Sequence, residues 1–177
     1  MDVSEAINRR RSIRSFTGEE PDEGALKAIL KAAEEAPVGM GQFENYRLTV
    51  LKNKDVLGKI NECAAAIFNR PGMDAFYGAP MLVVVSTKKP APGLENAVYS
   101  SCACIVQNMA LEAVEQGVGC CHIWGAIMAA QRNENVVASL QLPDGFVPCC
   151  GIALGKTNEA FEPRDIDQNR LALNVIE

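Results

Sequence analysis

A single histidine, His122, stands in this chain of 177 residues. A Ser-His-Asp or Cys-His relay needs an imidazole beside its nucleophile, and the stretch around the only one, "GVGCCHIWG", carries no nucleophile elbow. Long apolar runs are missing too. No stretch approaches the roughly 20 apolar residues that span a bilayer, and the opening "MDVSEAINRRR" has no apolar signal-peptide region. The expectation is a cytoplasmic protein with no membrane partner. C-x-x-C spacing is absent although there are seven cysteines. The close pairs are Cys102 with Cys104, Cys120 with Cys121, and Cys149 with Cys150. Adjacent residues of a strand point to opposite faces, so neither a tetrahedral metal site nor a disulfide framework is expected, and free buried thiols are.

Positive charge is in short supply, with 17 Lys and Arg against 22 Asp and Glu. Generic nucleic-acid binding draws on a net basic face that displaces counterions, so no such partner is expected. Against that deficit the segment "NRRRSIRSF" places arginines at positions 9, 10, 11 and 14. A local basic knot in an acidic chain points to a small anion instead of a polymer. In an extended segment, positions 10, 12 and 14 project to one side, presenting guanidinium, hydroxyl and guanidinium together; guanidinium forks bind phosphate oxygens bidentately. The competing reading is a solvated helix end, which suits Arg9. For Arg10, Ser12 and Arg14 the spacing leaves both readings open.

Two near-motifs fail on geometry. "GIALGKT", Gly151 to Thr157, has three residues between its glycines where a P-loop needs four, and Ile152, Ala153 and Leu154 read as strand interior. "GVGCCHIWG" has the wrong glycine spacing for a dinucleotide fingerprint and follows a helix.

Hydrophobic residues make up 48% and charged residues 22% of the chain, ordinary globular usage, and the length suits one domain over residues 1–177. Periodicity predicts helices over residues 3–11, 25–36, about 54–69, 97–115 and around "NENVVASLQL". Strands are predicted in "RLTVLKN", "PMLVVVST", "GVGCCHIWG" and "FVPCCGIALGK". These alternate as an α/β or α+β sandwich around one sheet. The 97–115 helix is small or apolar nearly all the way round, which implies burial on several sides, some of it by a second subunit. The tail from about 157 to 177 is polar until "LALNVI", an apolar arm that one monomer leaves uncovered.

"RRRSIRSF", then "EAPVGMG", "YGAPMLVVVS", the small-residue helix leading into "GVGCCHIWG", then "LGK" and a late "NRLAL" resemble, in order, the FMN-dependent nitroreductase family. The resemblance implies an α+β fold with a mostly antiparallel central sheet flanked by helices. It also implies a homodimer of domain-swapped style, with the arm at about 157–177 packing on the partner and an FMN at each of two sites along the subunit seam. By the same resemblance, Arg10, Arg11, Ser12 and Arg14 hold the flavin phosphate, ribityl chain and pyrimidine edge, and Arg170 closes on the phosphate. Ile123, Trp124 and Gly125 offer backbone N–H groups beside N5, and Pro37, Val38 and Gly39 reach the flavin from the other subunit. No side chain is assigned as a general acid or base.

The implied activity is hydride transfer from NADH or NADPH through flavin N5 to an electron-poor acceptor such as a nitroaromatic or a quinone. The alternatives are a flavin-binding sensor or carrier without reductase activity, and an offshoot that dehydrogenates or dehalogenates. The chain departs from the family pattern after the "AP" turn, where Val38 and Gly41 replace the usual polar residues; backbone contacts alone are expected there. Trp124 stands where relatives have a smaller or acidic residue, on the substrate side of the expected pocket.

Overall fold

A computed structural model of the chain describes residues 1–167 and 170–177. Besides two 3-10 turns, Gly39–Gly41 and Phe43–Asn45, six α-helices and four strands follow one another among the described residues: α1 (Val3–Arg9), α2 (Glu23–Glu34), β1 (Tyr46–Leu51), α3 (Lys54–Ile67), β2 (Met81–Lys88), α4 (Glu95–Glu115), β3 (Gly119–Ile123), α5 (Gly125–Ala130), α6 (Glu134–Ser139) and β4 (Phe146–Gly155). Most match the periodicity. Helix α5 is the exception: six residues of "GAIMAA" open with glycine and are too short to show an amphipathic period.

The strands form one sheet in the order β1-β2-β4-β3, every pair antiparallel. Of the two arrangements open to the sequence, this is the α+β one. Helices cover both faces. Leu57 and Ile60 of α3 and Ile127 of α5 pack with Leu82, Val84, Cys121 and Ala153 on one side. Ile29 of α2 and Cys102, Ile105 and Met109 of α4 pack with Met81, Val83, Val85, Ile152 and Leu154 on the other. Strand β2 is thus buried on both faces, which is why "MLVVV" lacks alternation. Each of those aliphatic side chains contributes about 1.5–3 kcal/mol by leaving water.

At 21 residues, α4 reaches the length and apolarity of a membrane span, a correction to the reading that no segment does. Its buried residues, Ser101, Cys102, Ile105, Val106, Met109, Ala110, Ala113 and Val114, face the sheet and α2, as in a core helix. The opposite side is not covered by this chain: Ala97, Tyr99, Ser100 and Ala103 are exposed.

The cysteine pairs divide. Cys120 and Cys121 alternate as strand neighbours should, one in each core. Cys149 and Cys150 do not, because the register slips between Val85 and Ser86, which face Cys150 and Pro148. A bulge inserts an unpaired residue, here Cys149, and breaks the alternation. Both thiols therefore turn toward α4, where Cys102 lies within hydrogen-bonding reach of each. Cys102, and then Cys150, as hydrogen-bonding neighbours hold the Cys149 thiol below its usual range.

Candidate functional site

Helix α1 ends when the chain turns extended at Arg10 (φ −56°, ψ 128°). From there the chain runs along the outer edge of β3, the last strand of the sheet. The Ile13 N–H donates to the Cys120 carbonyl at 2.9 Å, and the Thr17 N–H to the Lys156 carbonyl at 3.0 Å. Ile13 is wholly buried.

Phe16 explains the glycines of the neighbouring strands. Gly119 and Gly155 face each other across the β3–β4 pair. A Cβ on Gly119 would meet the Phe16 ring at 3.0 Å; one on Gly155 would meet it at 3.0 Å and Pro80 at 2.6 Å. Two missing side chains thus make the slot that the aromatic ring fills. The "SF" of the opening motif and the glycines of "GVG" and "LGK" are parts of one contact.

Ile13 turns inward, whereas Arg10 and Ser12 are half-buried and Arg14 is exposed; Phe16, two positions on, packs into the core that holds Cys121. Burial raises the Cys121 thiol pKa, while Arg14, a hydrogen bond from Ser12, and Arg10 oppose that rise. The segment that carries these three residues is held at the β3 edge by the Ile13–Cys120 bond. Arg14 also lies over the Tyr77 ring, 5.8 Å from its centroid. Tyr77 occupies a left-handed conformation (φ 58°) in a turn held by Asp74, whose carboxylate accepts from the Phe76 and Gly78 N–H groups at 2.9 and 2.6 Å. Burial, and then the charge of Arg10, hold the His122 pKa below its ordinary value.

The other arginines of the motif serve the tail. Arg9 pairs with Glu5 at 2.8 Å and donates to the Phe161 carbonyl at 3.0 Å, so it is not a free surface group. Arg11 donates to the Glu162 carbonyl. The structure also supplies a basic residue that the sequence reading missed, Arg164. It packs against the end of α1, near Arg10, Arg170 and Arg11. The only sequence signal for it was a second arginine six positions before Arg170. Among the described residues no carboxylate forms an ion pair with Arg10, Arg11, Arg14, Arg164 or Arg170. Positive charge gathered without counter-charge suits an anionic ligand.

At the far end of β3, Ile123 is buried and Trp124 is 64% exposed. Gly125 is glycine because the Phe68 ring stands 2.9 Å from where its Cβ would be. The Trp124 and Gly125 N–H groups have no acceptor among the described residues, so both are free to donate to a ligand.

Pro37, Val38 and Gly39 lie elsewhere, against the start of α4: the Gly39 N–H donates to Ser101 Oγ at 3.0 Å. Met40 follows in a left-handed conformation and is exposed. Among the described residues no hydrogen bond joins this turn to the arginine segment. Arg170 is exposed.

The model of the family described as "Nitroreductase family" matches residues 7–156. A protein of Methanothermobacter thermautotrophicus named "Putative NADH dehydrogenase/NAD(P)H nitroreductase" is 29% identical over 175 residues, covering 98% of this chain and 87% of that protein. Among solved structures, a nitroreductase with bound FMN from Desulfitobacterium hafniense DCB-2 is 26% identical with a TM-score of 0.82, covering 99% of this chain and 100% of that one. A nitroreductase with bound FMN from Bacteroides fragilis NCTC 9343 gives the same TM-score and coverage at 25% identity. The matched region takes in the arginine segment, the glycine slot and all four strands, and on that ground the chain belongs to the nitroreductase family.

Proposed function

We propose that the protein is an FMN-dependent oxidoreductase that takes reducing equivalents from NADH or NADPH and passes them to an electron-poor acceptor such as a nitroaromatic or a quinone. The observation that carries this reading is the basic segment Arg10 to Arg14 held along the β3 edge by the Ile13–Cys120 bond, with Arg164 bonded to the end of α1 beside it and no carboxylate ion-paired with these arginines among the described residues. The donor set fits a flavin mononucleotide: guanidinium forks for phosphate, a hydroxyl for a neutral polar atom, and unpaired backbone N–H groups at Trp124 and Gly125. The bound FMN of two relatives supports the same assignment.

When bound, FMN supplies the redox chemistry, and the protein supplies position and electrostatics. Arg10, Ser12 and Arg14 hold the cofactor, with Arg11 and Arg170 adding charge toward its phosphate. Ile123, Trp124 and Gly125 orient its reactive edge. No side chain needs to act as a general acid or base, which agrees with the sparse titratable chemistry of the site.

A second copy completes the site. Pro37, Val38 and Gly39 sit on α4, away from the arginine segment of their own chain, and serve the partner's flavin. The uncovered side of α4 and the exposed Leu171, Leu173, Val175 and Ile176 supply apolar surface for that pairing.

Anaerobic titration of the purified yellow protein with NADH and with NADPH tests the activity. Bleaching of the flavin absorbance by one or both, and its return on adding a quinone or nitroaromatic, is the expected result. A flavin that stays oxidised under excess of both nucleotides would replace this reading with that of a flavin-binding sensor or carrier.

A further inference from the structure

The two ends of the chain meet in a set of hydrogen bonds around Asn8. The Arg164 N–H donates to Asn8 Oδ1 at 2.8 Å, and Asn8 Nδ2 donates back to the Arg164 carbonyl at 3.0 Å. The Arg164 guanidinium then donates through Nε to the Asn8 carbonyl at 2.5 Å and through Nη2 to the Ile7 carbonyl at 3.0 Å. Those carbonyls close α1, whose last turn leaves acceptors unpaired and attracts cations. Arg9 and Arg11 flank this clasp with bonds to the Phe161 and Glu162 carbonyls.

The arrangement has an electrostatic cost. It holds Arg164 at the end of α1, where Arg10, Arg11 and Arg170 all lie near enough to repel it, and among the described residues no carboxylate forms an ion pair with these four. Burial, followed by the charges of Arg10, Arg170 and Arg11, lowers the Arg164 pKa, as expected for a cation held among cations. A tail free to choose its position would leave. The directional bonds around Asn8 hold it there, and Arg164 Nη1 has no acceptor among the described residues.

We propose that the Asn8–Arg164 clasp is a positioning device for the phosphate end of the cofactor, bringing the C-terminal arginines to the opening motif so that the protein selects a phosphorylated flavin over an unphosphorylated one. This rests on the FMN reading above. Asn8 carries no charge and acts through Arg164 and Arg170; its contribution is geometric. Arg164 sets the path of the tail and adds its own charge near the anion.

The test compares dissociation constants for FMN and riboflavin, read by quenching of flavin fluorescence, in the full-length protein and two variants. Asn8→Ala removes the reciprocal pair without altering charge. Arg164→Lys keeps the charge and loses the fork. Each variant is expected to weaken FMN binding about tenfold or more, the loss of roughly one charge-assisted contact, while riboflavin binding stays as in wild type. Parallel losses for both flavins would mean that the clasp only supports the fold, and unchanged FMN binding would mean that it does nothing for the ligand; either outcome overturns the proposal. A wild-type chain that binds neither flavin overturns the FMN reading and this one with it, whereas variants that retain a wild-type preference for FMN overturn this one alone.

Discussion

The segment from Arg10 to Phe16 and the segment from Arg170 to Glu177 both lack regular secondary structure and carry large apolar side chains, yet their surroundings differ completely. The first has Ile13 wholly buried and Phe16 in the slot between Gly119 and Gly155. The second has Leu171, Leu173 and Ile176 at 87%, 87% and 89% exposure. Segments without regular structure are ordered by what they touch. The head finds a free strand edge and a ready-made cavity in its own chain, whereas the end of the tail finds no such cover there. Residues 161–164 lie between these extremes, bonded in cis to the end of α1.

The contrast can be broken from the head side first. Replacing Ile13 with Ala should destabilise the protein by about 2–5 kcal/mol, as for other buried aliphatic truncations, with the midpoint of urea unfolding as the readout. A smaller loss, about 1–3 kcal/mol, is expected for Gly155→Ala, whose new methyl would crowd Pro80 and Phe16. Bound flavin should be lost in step, since Phe16 would move and Arg14 with it. A Gly155→Ala protein with wild-type flavin content would show that the slot does not position the arginines.

The edge of β3 gives a weaker, pH-dependent signal. Because the folded pKa of His122 lies below its ordinary value of 6.5, the unfolded chain takes up the proton first as pH falls. Its contribution to stability is complete above about 6.5 and is lost as pH drops through the folded pKa. Wild type should therefore lose more stability than His122→Gln on going below that pH, measured by parallel melts; equal slopes would assign the acid sensitivity to other groups.

The smallest effect on the isolated chain is predicted for the tail. Deleting residues 171–177 should leave unfolding of the dilute protein within about 0.5 kcal/mol of wild type, as for other exposed positions. The same deletion should shift sedimentation from dimer toward monomer. A truncated chain that is still dimeric would place the seam on α4 alone.

Much of this architecture was legible in the residues because it rests on periodicity. Strand β2 announces itself as an unbroken apolar run, and α2 by its apolar stripe and the stop at Pro37. What escaped was long-range. The bulge that turns Cys149 and Cys150 toward Cys102 is set by the pairing of β4 with β2, and Arg164 joins the basic cluster through contacts 156 residues away in the chain. Helix α5 was missed for a local reason, its brevity. The glycine slot was hidden because Phe16, Gly119 and Gly155 make sense only together.

The measurement that bears most directly on this account is the affinity of the Arg10→Ala, Arg14→Ala double variant for FMN, taken beside a wild-type control and a check of folding by circular dichroism. The account predicts a folded, colourless protein that FMN no longer restores to yellow. A folded double variant that still holds FMN as tightly as wild type would contradict it, because the cofactor would then lie somewhere other than at the edge of β3.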